Sequence, residues 1–168
     1  MTLRVEALRP SHVLDEFACG KGPLDEWLRE HARNAMGQGT RTHVLVDMKT
    51  RSIAGYFAIA PHLVERDLTP TRIARGAPRQ IPAILLAKLA PDERSQGSGL
   101  GRVLLVRALK KIVDAAKHAG GKLVVVDAID DDAAKFYQHH NFVPVPGDPH
   151  RLLMKMSTAA RELGIPWP

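Results

Sequence analysis

Apolar and polar residues alternate along Leu3-Arg4-Val5-Glu6-Ala7-Leu8, the period of a strand with one buried face, and predict a first strand. Phe17-Ala18-Cys19-Gly20-Lys21-Gly22 reads as a turn. Pro23 then suits the first turn of a helix, where its missing N–H would be unpaired anyway. Leu24, Trp27, Leu28, His31 and Ala32 fall on one helical face, and the helix is expected to fade near Gly37-Gln38-Gly39. Thr42 to Val46 and Ile53 to Ile59 are β-rich runs around Asp47-Met48-Lys49-Thr50-Arg51-Ser52, a pattern that predicts an antiparallel hairpin. Pro61 to Pro82, broken by prolines and rich in charge, reads as an exposed connection with one short helix.

Ile84 to Ala90 is an apolar run that predicts a strand feeding the glycine-rich stretch Gln96-Gly97-Ser98-Gly99-Leu100-Gly101. Beyond it, Leu105, Ala108, Leu109, Ile112 and Ala116 form the buried stripe of a helix running to Ala119. The other face of that helix is basic through Arg107, Lys110, Lys111 and Lys117, and Gly120-Gly121 stop it as a left-handed cap. Leu123-Val124-Val125-Val126 is nearly continuous in apolar residues, as a central parallel strand is. Asp130-Asp131-Asp132 place a cap and negative charge at the start of another helix, on which Ala133, Phe136, Tyr137 and His140 share a face. Phe142 to Val145 and Leu152 to Met156 read as the last strands, and Arg161 to Pro168 as a short loose tail. This order of elements is that of a mixed α/β layer.

At 168 residues the chain reads as a single domain, and 45% apolar with 25% charged residues reads as a soluble globular protein. One cysteine excludes an internal disulfide, which suits a reducing cytoplasm. Met1-Thr2-Leu3-Arg4-Val5-Glu6 holds no apolar run long enough for a signal peptide or membrane span, so a cytoplasmic protein without a membrane partner is expected. The formal charge of +6 favours polyanionic partners. His62, His118, His139 and His140 belong to no set with ligand spacing, and no metal is expected. Trp27 at helical spacing reads as core, and Cys19 as a packed thiol. Arg72, Arg75 and Arg79 read either as a solvated charged loop or as a basic lip for a large anionic substrate.

The glycine stretch carries the chemistry. Glycines at alternate positions allow close backbone approach, and the following helix turns its unpaired amides and positive dipole end to the same place. Such a site suits a phosphate or pyrophosphate. A nucleoside-triphosphate loop would end Gly-Lys-Ser/Thr, whereas this one ends Leu100-Gly101-Arg102. A dinucleotide fold would accept Asp127 as its acidic strand end, but Arg102 stands where its third glycine belongs and Pro91 to Ser95 separate strand from loop. Gln96, Gly99 and Gly101 instead satisfy a Gln/Arg-x-x-Gly-x-Gly/Ala pattern.

That pattern resembles the pyrophosphate-binding motif of the GCN5-related N-acetyltransferases. The resemblance covers roughly residues 3 to 156 of one domain spanning 1 to 168, leaving 157 to 168 as a tail. Its second part is Asp132-Ala133-Ala134-Lys135-Phe136-Tyr137-Gln138-His139-His140-Asn141-Phe142. It implies a single-domain α/β fold: a mixed, mostly antiparallel sheet with a splayed central parallel strand pair, flanked by helices. Acetyl-coenzyme A is the implied co-substrate, its pantetheine pairing with the first splayed strand like an added strand. The residues implied to hold it are Leu89, Pro91, Gln96, Gly97, Ser98, Gly99, Leu100, Gly101, Arg102 and Lys135. Tyr137 is implied as the catalytic acid that protonates the departing thiolate, with a backbone amide near Leu89 polarising the thioester oxygen. A Cys19 acyl-enzyme is the lesser alternative. The family pattern has Val or a similar residue, donating an N–H, where Pro91 stands; Leu89 or a shifted pantetheine compensates, or affinity is lower.

Phe17-Ala18-Cys19-Gly20 with Leu24-Asp25-Glu26-Trp27-Leu28, Arg41-Thr42 opening a strand, and Ile81-Pro82 before Leu86-Ala87-Lys88-Leu89-Ala90 narrow the resemblance. They look like the TacT-type acetyltransferase toxins of type II toxin–antitoxin systems. That resemblance implies acetylation of the α-amino group of aminoacyl-tRNA and arrest of translation. It also implies a ribbon–helix–helix antitoxin, and operator DNA bound only through the complex of the two. It is compatible with a homodimer. Arg72, Arg75, Arg79 and Arg41 are then the candidate tRNA contacts. The rival readings are a small-amine or protein N-acetyltransferase and a non-catalytic nucleic-acid-binding module.

Overall fold

The computed structural model describes residues 2–95 and 97–168. Seven strands form one sheet in the order β1-β2-β3-β4-β5-β7-β6. They are β1 (Leu3–Ala7), β2 (Arg41–Asp47), β3 (Ile53–Glu65), β4 (Gln80–Pro91), β5 (Leu123–Asp127), β6 (Val143–Val145) and β7 (Asp148–Lys155). β4 and β5 run parallel, whereas β1–β2, β2–β3, β5–β7 and β6–β7 are antiparallel. The expected mixed α/β sheet with a parallel pair is therefore present. The chain divides into two compact units: residues 1–60 with 87–108, and residues 61–86 with 109–168.

In the first unit, α1 (Gly22–Glu26) continues through a π-helical turn, Trp27–His31, into α2 (Ala32–Met36). Pro23 lies in the first turn, as anticipated. Leu28 and Ala32 are fully buried with Leu8, Phe17, Val44, Val46, Tyr56 and Ala90, and Trp27 packs partly buried against them. The β2–β3 hairpin turns through Arg51 in the left-handed region. Glu6 gathers this end, accepting hydrogen bonds from Arg9 and Arg51 and pairing with His12 Nε2 at 2.8 Å.

In the second unit, the core is Val64, Ala74, Ala77, Ile81, Ala83, Leu123, Val125 and Leu153. α5 (Asp131–His139) is capped as its sequence suggests: the Asp130 carboxylate accepts the Ala133 N–H at 2.8 Å. The helix α4 (Leu100–Ala119) runs from the first unit into the second and buries the whole stripe Leu105, Ala108, Leu109, Ile112 and Ala116. Gly120 ends it at φ 91°, the left-handed stop expected there.

Three boundaries differ from the sequence reading. β3 passes through Pro61 to Glu65 and β4 opens at Gln80, so the connection shrinks to residues 66–79 with α3 (Thr71–Ala74) inside it. The Arg66 N–H donates to the Arg79 carbonyl at 2.8 Å and closes the ends of that connection, a pairing invisible locally. Met156, read as strand, begins α6 (Met156–Glu162), so the supposed tail is helical as far as Glu162. Met156, Ala159 and Ala160 bury one face of it, and Asn141 Nδ2 holds the Glu162 carboxylate at 2.9 Å.

Candidate functional site

The candidate residues fall in both units. Leu89, Pro91, Gly97, Ser98, Gly99, Leu100, Gly101, Arg102 and Arg41 belong to the first, and Lys135, Tyr137, Arg72, Arg75 and Arg79 to the second. Gln96 lies outside the described residues.

In the first unit the end of β4 is set by Asp92, which is 2% exposed. Its N–H donates to the Ala54 carbonyl at 2.9 Å, on the β3 side of the strand. Strand alternation directs the Ala90 N–H the same way, and the Leu89 N–H to the other edge. Pro91 shares that other edge with Leu89. The parallel register with β5 ends at Leu86↔Val126, whereas β4 continues to Pro91. Leu89 therefore offers a backbone donor on a stretch of strand edge beyond the β5 register, and Pro91 offers none.

The Asp92 carboxylate holds the chain where it leaves the strand. It accepts the Arg94 backbone N–H and Nε, both at 2.9 Å, and Arg94 Nη2 at 3.0 Å. Burial alone would raise the Asp92 pKa, but the Arg94 hydrogen bonds outweigh it and hold the group below the usual carboxylate range. A 3₁₀ turn over Glu93–Ser95 follows. Gly97 and Gly99 adopt φ of 81° and 77°, and a Cβ built at either meets no protein atom within 4 Å. Their conformation, rather than crowding by the protein, demands glycine. Ser98 spends both its N–H and its hydroxyl on the Ser95 carbonyl. Leu100 is 4% exposed and anchors the start of α4, with Gly101 in its first turn and Arg102 exposed beside it. The first-turn amides of this 20-residue helix thus follow directly on two left-handed glycines. An anion is the ligand this geometry suits.

Other residues of the first unit qualify the alternatives. Cys19 is buried, and burial with the Asp25 carboxylate pushes its thiol up to about 11. A thiol held protonated at neutral pH is a poor nucleophile, which argues against an acyl-enzyme. Arg41 is exposed but spends Nη1 on the Met36 carbonyl at 2.7 Å, closing the end of α2.

In the second unit, Tyr137 lies on α5 and is 6% exposed. Its ring meets Phe136 and Phe142 edge-on at 5.4 and 5.5 Å. The Tyr137 carbonyl accepts the N–H groups of His140 and Phe142, closing the turn after the helix. Burial raises the phenol pKa, so it is neutral and a donor at any physiological pH. Its hydroxyl has no hydrogen-bond partner among the described residues. Lys135, Arg72, Arg75 and Arg79 are exposed. Asp127, which a dinucleotide site would use for a ribose, is paired with Arg151 at 2.8 and 2.9 Å instead.

Sequence reasoning missed Asp92, whose role rests on packing that no local pattern announces. It also passed over Lys88, whose Nζ stands 5.5 Å from the centroid of Trp27.

No family model matches the chain. Among curated relatives, a tRNA-acetylating toxin of Mycobacterium tuberculosis is 36% identical over 149 residues, 88% of this chain and 89% of its own. A probable toxin TacT of Sinorhizobium fredii is 26% identical over 95% of this chain and 94% of its own. Among solved structures, AtaT complexed with acetyl-methionyl-tRNAfMet superposes with a TM-score of 0.86 at 25% identity, covering 96% of this chain and 99% of that one. AtaTR bound with acetyl-coenzyme A gives 0.81 at 25% identity, covering 95% and 97%. The KacTA–DNA complex gives 0.82 at 26%, covering 97% and 99%.

Proposed function

Since the chain belongs to the TacT-type, tRNA-acetylating acetyltransferase toxins, we propose that it acetylates the α-amino group of aminoacyl-tRNA with acetyl-coenzyme A and so blocks translation. The observation that carries this is the pair of left-handed glycines, Gly97 and Gly99, running straight into the first turn of α4. The coenzyme supplies an acetyl group activated as a thioester. Its pyrophosphate would rest on the amides around Gly99 to Arg102, with Gln96 and Lys135 as further contacts, and its pantetheine along the open edge of β4.

The amine of the aminoacyl ester, neutral and less basic than a lysine, attacks the thioester carbonyl. The Leu89 N–H supports the oxygen as it gains charge. The carbon–sulfur bond breaks, Tyr137 gives its proton to the leaving thiolate, and the amide nitrogen loses a proton to water. Burial raises the pKa of Tyr137, which keeps the phenol neutral and able to give its proton.

Such an activity belongs in the cytoplasm, and among the described residues no helix is long and apolar enough to cross a membrane. A ribbon–helix–helix antitoxin would restrain it, operator DNA would be bound through that complex, and a homodimer would fit the arrangement. The test offers radiolabelled acetyl-coenzyme A to charged tRNA, free amino acids and proteins side by side. Label on charged tRNA alone is expected; label on free amino acids or proteins alone would make the chain a small-amine or protein acetyltransferase.

A further inference from the structure

In the second unit a cavity of about 240 Å³ lies where β4 and β5 begin and β7 ends, well apart in sequence from the glycine stretch. Arg75, Lys122 and Lys155 line it, together with Ser157 and the indole of Trp167. No Asp or Glu lines it. Elsewhere several arginines are paired closely, among them Arg51 with Glu6, Arg94 with Asp92 and Arg151 with Asp127. Arg75, Lys122 and Lys155 have no ion-pair partner among the described residues. Three like charges on one cavity repel one another, and an anion from outside is what offsets that cost.

The volume falls just below the ~300 Å³ at which ordinary small-molecule sites begin, so the cavity suits one group rather than a whole coenzyme. A carboxylate would use the cations and leave the indole idle. A nucleotide uses both, because a base face stacks on an aromatic ring while its phosphate meets the charges. Trp167 is half-buried and stands between Pro166 and Pro168, which restrict the backbone on either side and lower the cost of ordering it.

We propose that this cavity is an RNA exosite, in which Arg75, Lys122 and Lys155 hold one phosphodiester and Trp167 stacks on an adjoining unpaired base. The inference rests on tRNA being the substrate, and adds a contact remote in sequence from the acetyl-transfer machinery.

The experiment places Trp167 as the lone fluorophore in a Trp27→Phe background and titrates uncharged tRNA, short oligoadenylate and polyglutamate. Both nucleic acids are expected to quench Trp167, and polyglutamate to leave it bright. Trp167→Ala should weaken tRNA binding about 5- to 150-fold, the loss of one stacked base. The pair Lys122→Gln and Lys155→Gln should lower the slope of log affinity against log salt by about 0.7 to 0.9, one phosphate's worth. Acetyl-coenzyme A affinity, measured on the same samples, should not change. Wild-type tRNA affinity and slope in all variants would overturn the exosite, and quenching by polyglutamate alone would make it a site for an acidic peptide. A wild-type protein that binds RNA here yet transfers no acetyl group to charged tRNA would remove the proposed activity and leave this site standing.

Discussion

The hydroxyl of Tyr56 donates a hydrogen bond of 2.7 Å to the carbonyl oxygen of Leu24, tying β3 to the first helix at the point where that helix widens into a π turn. Tyr56 is fully buried, and Trp27 stacks on it at 6.1 Å with the rings 10° from parallel. Lys88 Nζ stands over the same indole, 5.5 Å from its centroid. Tyr56→Phe removes the donor and leaves a carbonyl less well satisfied, at a cost of about 1–2 kcal/mol. A lower urea midpoint with an unchanged m-value is the expected result, and an unchanged midpoint would show that the bond contributes nothing net.

Tyr137→Phe separates catalysis from packing. The hydroxyl lacks a hydrogen-bond partner among the described residues, while the ring makes the contacts with Phe136 and Phe142. Stability and acetyl-coenzyme A affinity should both hold, and turnover should fall about 10²–10⁴-fold, as for a lost general acid. Single-turnover acetyl transfer measures it. Wild-type turnover would mean that water protonates the thiolate.

The glycine stretch makes two separable demands. Gly99 needs its left-handed backbone, so Gly99→Val strains the loop as well as crowding a ligand, costing on the order of 1–2 kcal/mol before any ligand is added. Gly101 lies in the first turn of α4, where Val fits the backbone. Gly101→Val should therefore fold normally and still lose acetyl-coenzyme A binding, because its side chain would stand where the pyrophosphate approaches. Calorimetry on folded protein decides; near-normal affinity in Gly101→Val would sink the assignment of the loop.

What was legible in the sequence was what a local backbone rule dictates. The stripe from Leu105 to Ala116, the Gly120 stop and the Asp130 cap all appear where periodicity and end signals put them. The glycine loop was legible for the same reason: left-handed glycines ahead of a helix leave a short pattern. What was hidden depends on contacts between distant segments. Pro61 reads as a break, yet β3 runs through it past the Arg41↔Ile59 end of its pairing with β2, with β4 as its other neighbour in the sheet. Met156 reads as the end of a strand and residues 157–162 as tail, yet a buried Met156 and the Asn141 contact with Glu162 hold this stretch as a helix. Arg75, Lys122, Lys155 and Trp167 are far apart in sequence, and only folding brings them to one cavity.

Two carboxylates make the first unit acid-sensitive. Glu6 is held at about 2, first by the Arg51 hydrogen bond and then by that of His12. Asp92 is lowered too, Arg94 outweighing the effect of burial. A depressed folded pKa means the unfolded chain binds more protons, so the stabilisation is complete above the unfolded value near 4 and is lost as pH falls toward 2. Arg51→Met should flatten that loss by removing the chief partner of Glu6. Denaturant midpoints at pH 7, 4 and 3 test this: wild type should lose more stability over the range than Arg51→Met, and equal losses would contradict it.

Salt distinguishes a large polyanionic substrate from a small one. Both proposed substrates carry phosphates, so salt should weaken both, but to different degrees. Acetyl-coenzyme A presents a few charges to one loop, whereas tRNA presents a backbone, and each phosphate neutralised adds about 0.7–0.9 to the slope of log affinity against log salt. The KM for charged tRNA should therefore rise steeply with salt and the KM for acetyl-coenzyme A only gently. Arg72 and Arg79 are exposed on the connection between β3 and β4 and make no ion pair among the described residues. Arg72→Glu with Arg79→Glu should raise the KM for charged tRNA and reduce its salt slope while leaving kcat and coenzyme affinity in place, since phosphate contacts position a substrate without touching the reacting atoms. An amino-acid ester offered instead of tRNA should show neither effect. A double reversal that left the tRNA slope intact would return these arginines to the status of a solvated loop and move the polyanion to another face.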